Sequence, residues 1–255
     1  MSLKELTEEQ VKLSKEMVKF PLRFCNACYF GNPADHGVKI NNGTMTLVRY
    51  KGERFGITNY HVVDAYRDRQ RNESDIDFYI GNARIELGET LFDEDKELDL
   101  CVLYLDGYDE KEFSSDGEIP THFYEIDDFT LGNLKEGGFV LFGGFPGVWR
   151  SRPKSNHLIF DSLSSGSTEV TEVTSRNIRC ELSLEKCLVT LEQHHKEFPE
   201  NLGGLSGGPV FLNQVHSSGI STFKLIGFIY EHMAEYDSIM VRPLSFINDK
   251  FWISR

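Results

Sequence analysis

Beyond Pro21 the chain breaks into apolar runs of about five to eight residues, each ended by a turn signal. Runs this short suit strands rather than helices. Asn41-Asn42-Gly43 reads as a turn leading into a strand over Thr44–Tyr50, and Lys51-Gly52-Glu53 folds it back into Arg54–Thr58. Ile76–Ile80 and Ala83–Leu87 form a second hairpin around Gly81-Asn82, and Leu98–Leu105 is a buried strand. Between Asp109 and Asp128 lie Glu110, Glu112, Asp116, Glu118, Glu125 and Asp127 against a single lysine, Lys111, which suits a solvated connection. Strands resume at Phe139–Phe142. Ser162–Thr168 reads as a loop tip, Ile178–Leu184 is expected to pair with Cys187–Leu191, and Phe223–Tyr230 is a further strand. Two groups of short strands argue for paired β-barrels.

Two stretches have helical spacing instead. Residues 7–20 read as one amphipathic helix, with Leu6, Leu13, Met17 and Phe20 at helical spacing, Thr7 and Gln10 as a capping box and Pro21 as the stop. Val62–Arg69 can form one short helix. The expected division is a helical extension over 1–21, a first barrel over 22–108, an acidic linker over 109–128 and a second barrel over 129–255.

A hydrophobic content of 40% in 255 residues supplies a large core. A net charge of −13 argues against general nucleic-acid binding, so no nucleic-acid partner is expected. No run reaches membrane-spanning length, and charges interrupt every apolar stretch of the first twenty residues; neither a membrane partner nor a secretory leader is expected. The five cysteines, Cys25, Cys28, Cys101, Cys180 and Cys187, are an odd number, which suits reduced thiols and a cytoplasmic location. Cys25 and Cys28 make one CxxC with no second pair to complete a zinc site. His194 and His195 are adjacent and do not face one metal together. No cofactor and no metal is expected.

Three segments carry chemistry. In Gly204-Leu205-Ser206-Gly207-Gly208-Pro209-Val210, glycines on both sides of a serine allow a sharp turn that presents a hydroxyl beside free N–H groups. Thr58-Asn59-Tyr60-His61-Val62-Val63 supplies an imidazole, a base that works near neutrality. Leu98-Asp99-Leu100-Cys101-Val102-Leu103 supplies a carboxylate to hold that imidazole in the right tautomer; Asp93 and Asp95 are rivals, and Asp99 is preferred because it opens the apolar strand. Ser206 is then the nucleophile, His61 its base, Asp99 the orienting acid, and the backbone N–H groups of Gly204 and Ser206 the oxyanion donors.

These segments resemble those of the chymotrypsin/trypsin-like serine peptidase superfamily, in particular its bacterial, disulfide-free branch. Gly204–Pro209 resembles the Gly-Asp-Ser-Gly-Gly-Pro signature. Thr58–Val63 resembles the Thr-Ala-Ala-His segment with Asn59-Tyr60 in place of the alanines. Asp99–Leu103 resembles the Asp-Leu-Ala-Val-Leu segment of HtrA-like members, and Phe145-Pro146-Gly147 the Gly-Tyr-Pro-Gly turn. The resemblance spans roughly residues 38–247. It implies an all-β fold of two packed six-stranded barrels behind an N-terminal helix, with the site in the cleft between them. It also implies peptide-bond hydrolysis through an acyl-enzyme.

Leu205 departs from the pattern, since it stands where trypsin has the aspartate that pairs with a freed N-terminus. Activation by cleavage in the manner of trypsin is therefore not expected. Counting back six from Ser206 gives Glu200, where trypsin carries the acid of its primary pocket; this implies a preference for Lys or Arg before the cut. Aligning the strand after the serine puts Tyr230, Glu231 and His232 along the substrate cleft, with Glu231 as the alternative acidic element. The sequence thus points to an intracellular serine endopeptidase acting on peptide or protein substrates. The alternatives are a catalytically quiet peptide-binding module and a latent protease effector unlocked by a regulatory protein partner.

Overall fold

The structure, a computed structural model, describes residues 8–31, 40–73, 76–114, 119–154, 157–182, 187–189, 202–218 and 220–255. Helix α1 (Glu8–Val18) leads into a 3₁₀ turn over Phe20–Phe24 in which Pro21 takes an early position, where no N–H is needed. The helix thus ends before Phe20; Thr7, of the expected capping box, lies outside the described residues. Phe20 and Phe24 pack edge-on against Phe211 and Tyr124, so this segment closes one end of the molecule rather than standing apart from it.

The first sheet contains β1 (Cys25–Phe30), β2 (Asn41–Tyr50), β3 (Glu53–Thr58), β4 (Phe78–Ile80), β5 (Ala83–Ile85), β6 (Leu91–Asp95) and β7 (Leu100–Tyr104), with helix α2 (Tyr60–Gln70) between β3 and β4 and the one-turn helix α3 (Leu87–Thr90) before β6. Its strand order is β5-β4-β1-β2-β3-β7-β6. The expected hairpins β2–β3 and β4–β5 both form. Asn41-Asn42-Gly43 is not a turn: all three residues belong to β2 and pair with Phe30, Tyr29 and Cys28 of β1. Gly43 is needed there because a Cβ would run into Val62 of α2, 2.9 Å away. The sheet curls around Phe30, Met45, Leu47, Phe78, Ile80 and Leu103. It stays an open half-barrel among the described residues, because α3 rather than a strand pair joins β5 to β6.

The acidic stretch is more than a solvated tether. Asp109 and Glu112 form a capping box on a short 3₁₀ turn whose Phe113 is fully buried in the first core. Tyr124-Glu125 forms β8, parallel to β2. The described carboxylates of the stretch thus stay at the surface while Phe113, Phe123 and Ile126 anchor the chain.

The second sheet contains β9 (Phe139–Gly144), β12 (Leu163–Val173), β13 (Ile178–Glu181), β14 (Cys187–Val189), β15 (Pro209–Val215), β16 (Ser221–Met233) and β17 (Ser238–Pro243), while β10 (Arg150–Lys154) and β11 (His157–Phe160), between β9 and β12 in the chain, pair only with each other as a separate hairpin. The ring β13-β17-β16-β15-β9-β12 closes through a β12–β13 pairing, giving a six-stranded barrel. Ser162–Thr168 is not a loop tip: from Leu163 on it is the start of β12, and Ser164, Ser165 and Thr168 are buried. Nor, among the described residues of the two expected strands, do 178–182 pair with 187–189; the rest of both lies outside the described residues. Strand β13 bonds to β12 and β17, and β14 bonds to β12.

The sheets meet through a third core. Val48, Phe55, Ile57 and Val102 of the first pack against Leu141, Phe211, Leu225 and Phe228 of the second, closed by Phe251 stacked 3.9 Å from Phe55. Burial on both faces explains why Thr44–Val48 reads as one buried run rather than an alternation. The architecture is all-β: a curled half-barrel and a closed six-stranded barrel packed against each other, with the N-terminal helix ahead of them. Among the described residues no helix is long and apolar enough to cross a membrane.

Candidate active site

Strand β3 ends at Thr58, Asn59 caps α2 in an extended conformation, and His61 falls in the helix's first turn. The N–H groups of a first turn lack partners within the helix and attract negative charge. Asp99 meets that need. Its Oδ1 accepts from the His61 backbone N–H at 2.9 Å, while Oδ2 lies 2.8 Å from the ring Nδ1. Asn59 Nδ2 donates to the Asp99 carbonyl at 2.8 Å, so both ends of residue 99 are fixed to the helix start. Asp99 adopts a left-handed conformation (φ 52°), which aspartate tolerates better than most residues. The rivals are engaged elsewhere: Asp93 accepts from Ile253 N, and Asp95 accepts from Leu98 N and pairs with Arg255. The His61 side chain is 52% exposed and that of Asp99 22%, so the pair opens onto solvent from a half-buried carboxylate.

The serine loop is fastened to the first sheet. Thr44 N donates to Ser206 O at 2.8 Å, Thr44 Oγ1 to Gly204 O at 2.7 Å and Thr46 Oγ1 to Gly207 O at 2.6 Å. On the other side Gly207 N donates to Ile229 O and Ile229 N to Gly208 O. Gly207 (φ 88°) is squeezed between these anchors: a Cβ would collide with Thr44 O and lie 2.6 Å from Thr58 Oγ1, three residues before His61. The Ser206 loop therefore rests on the end of β3 that leads into His61. Ser206 is half-buried, and its hydroxyl is not hydrogen-bonded to His61.

Gly203 O accepts from Gly147 N at 2.7 Å. In a planar trans peptide the N–H of the next residue points the opposite way, so the Gly204 N–H points away from Gly147. Among the described residues neither Gly204 N nor Ser206 N donates to a backbone carbonyl. Leu205 is buried in the second core, its Cδ2 packed close over Gly144. A hydrophobic anchor thus seats the loop where an ion pair could have done so.

Beyond Phe228, β16 keeps β17 on one edge; on the other, β15 ends and Ile229 bonds to the serine loop. Tyr230 sits at a bulge, half-buried, its hydroxyl 3.2 Å from Asn177 Oδ1. Glu231 is exposed. His232 is half-buried, and burial pushes its imidazole below its ordinary value. Tyr230 to His232 therefore continue the strand just past the serine loop, while Glu200 lies outside the described residues. Among the described residues no group of three or more His, Cys, Asp and Glu side chains could hold a metal ion.

Sequence reasoning missed Thr44, Thr46 and Arg242. The threonines act across about 160 positions of chain, which no local pattern reports. Arg242 had one signal, a lone cation inside the apolar run Ile239–Pro243. Burial depresses its guanidinium from the ordinary arginine value.

No family model matches the chain, and no curated protein matches it. Among solved structures it is similar to the active form of the Rv3671c protease from M. tuberculosis, with 14% identity, 95% of this chain and 89% of that chain covered, and a TM-score of 0.44. It is similar to Deg5, with 14% identity, coverage of 94% and 92%, and a TM-score of 0.45. A third likeness is to a human pathogenic astrovirus serine protease, with 10% identity, coverage of 86% and 88%, and a TM-score of 0.40. At this distance a likeness carries over no residue's role.

Proposed function

We propose that the protein is a serine endopeptidase in which His61, Asp99 and Ser206 form the catalytic triad. The observation that supports this best is the two-point hold of Asp99 on His61, at the backbone N–H and at Nδ1. That hold leaves Nε2 unprotonated and able to accept a proton from Ser206. Ser206 Oγ attacks the scissile carbonyl carbon as its proton passes to His61 Nε2. The resulting oxyanion is stabilised by the N–H groups of Gly204 and Ser206. The C–N bond then breaks, and the departing amine takes the proton from His61. Water, deprotonated by the same imidazole, hydrolyses the acyl-enzyme, releasing the acid and restoring the serine.

Extended substrate backbone lies along Tyr230–His232 on the edge that β15 leaves free. Glu200 is proposed as the acid that selects Lys or Arg before the cut, with Glu231 as its alternative. Comparable cleavage of fluorogenic peptides carrying Arg, Phe and Ala at that position would rule this preference out. Among the described residues four buried, unpaired thiols, those of Cys25, Cys28, Cys101 and Cys180, suit a reducing, intracellular setting.

Fluorophosphonate capture of the purified protein tests the triad. Expected is labelling that Ser206→Ala and His61→Ala both abolish. Absence of labelling in well-folded wild type would overturn the reading of a free, active peptidase.

A further inference from the structure

Arg242, on β17 of the closed barrel, reaches across to the loop that carries Asp99. Its Nε donates to Leu98 O at 2.7 Å, one residue before Asp99. Its Nη1 donates to Arg176 O and to Asn177 Oδ1, both at 2.8 Å. Its guanidinium lies 4.3 Å from the ring centre of Tyr230, the residue that follows the serine-loop anchor Ile229, and 5.9 Å from that of Phe246. Arg242 is buried, and none of the described carboxylates lies within ion-pair distance of it. A charge held this deep without a direct counter-ion is unfavourable unless the surrounding dipoles and more distant charges offset it. The groups that act on it are Asp99 and Asp95 with opposite charge, Arg176 with like charge, and the Tyr230 hydroxyl; Tyr230 in turn faces Glu231 and Arg179.

We infer that Arg242 is a positioning residue for the His61–Asp99 pair, fixing the Asp99 loop against the second barrel and biasing the pair by its charge. The inference deepens the proposed triad and rests on it. The fork has two separable effects. Its hydrogen bonds join Leu98, the 176–177 turn and, through Tyr230, the substrate strand, so that Asp99 and the serine loop keep one spacing. Its charge favours the ionised carboxylate and opposes formation of the imidazolium. Removing the charge therefore makes the imidazole take up its proton at higher pH, and the acid limb of the rate profile moves up with it.

The test compares the full-length protein with Arg242→Gln, which keeps donors and loses charge, and Arg242→Lys, which keeps charge and loses the planar fork. Two quantities are read in proteins whose near-ultraviolet circular dichroism matches wild type: the pH profile of the fluorophosphonate capture rate, and the His61 ring titration by NMR. Arg242→Gln is expected to move both midpoints up together, beyond the scatter of repeat titrations. Arg242→Lys is expected to leave both midpoints with wild type while slowing capture roughly tenfold through looser geometry. Either variant decides alone: unmoved midpoints in the Gln form, or shifted ones in the Lys form, overturn the inference. If wild type is not captured at all, the triad reading fails separately. The NMR titration then still decides whether Arg242 acts on the pair.

Discussion

Asp99 does two things with one side chain, and its backbone is arranged around both. The left-handed conformation aims the carboxylate at the first turn of α2, where it bonds the His61 N–H and Nδ1 together. Asp99→Asn tolerates the same backbone and keeps an oxygen for the N–H. It places an amide NH₂ against Nδ1, however, and so stabilises the wrong tautomer. The folded variant is expected to lose on the order of 10⁴-fold in fluorophosphonate capture rate while its thermal midpoint stays close to wild type. A rate within tenfold of wild type would remove Asp99 from the mechanism. The three side chains of the proposed triad could be read from short segments because each carries its own local frame: glycines around Ser206, a strand end before His61, an apolar strand after Asp99. Arg242, Thr44 and Thr46 could not be placed this way, because their partners lie far along the chain and their roles exist only after the barrels meet.

At the scale of elements, hairpins with tight glycine turns were readable, as was α2, because the turn residues and the periodicity sit within a few positions. Segments whose partners are distant were misread. Asn41–Gly43 has turn composition yet completes β2 because β1 lies beside it, and polar Ser164, Ser165 and Thr168 are buried because closure of the barrel requires β12 there. The element-level contact that most needs testing joins β2 to the serine loop. Thr44 Oγ1 donates to Gly204 O and accepts from Phe145 N, so Thr44→Val keeps the shape and strands both partners. The expected cost is about 1–3 kcal/mol in denaturant unfolding, with a slower capture rate. Unchanged stability would show the strap to be dispensable. A second contact gives a pH signature. Lys224 Nζ on β16, at 2.6 Å, and the Thr130 hydroxyl and N–H pull the Asp128 carboxyl down to about 2. Its folded value lies below the unfolded one of about 3.9, so the stability it adds is complete above that pH and is lost as pH falls toward the folded value. Lys224→Met is expected to melt slightly below wild type at pH 5–7, with the difference closing between about pH 4 and 2. The difference is small because the carboxylate is half exposed. A gap that widens in acid would contradict the assignment.

For the whole molecule the decisive fact is that the two sheets share a core. Strands β2, β3 and β7 are buried on their outer faces by β9, β15 and β16, and Phe251 closes the seam. Neither sheet can open without exposing the residues that bury the other, so the two are expected to unfold together. Four thiols report on this. Cys28 and Cys101 lie in the first core, Cys180 in the second, and Cys25 in the small cluster with Leu22 and Phe145. Burial pushes all four thiols up, Cys28 and Cys180 to about 12, so little thiolate is available to an alkylating reagent while the protein is folded. Pulsed alkylation across a denaturant gradient, read by peptide mass spectrometry, is expected to modify the four at one common midpoint, which also coincides with loss of fluorophosphonate capture. Modification of Cys180 well before Cys28 and Cys101 would mean that the closed barrel opens alone. The site would then depend on the half-barrel and the closed barrel holding each other only loosely. The common midpoint follows instead if the seam around Phe55, Phe211 and Phe251 makes one cooperative unit of the cleft and both of its walls.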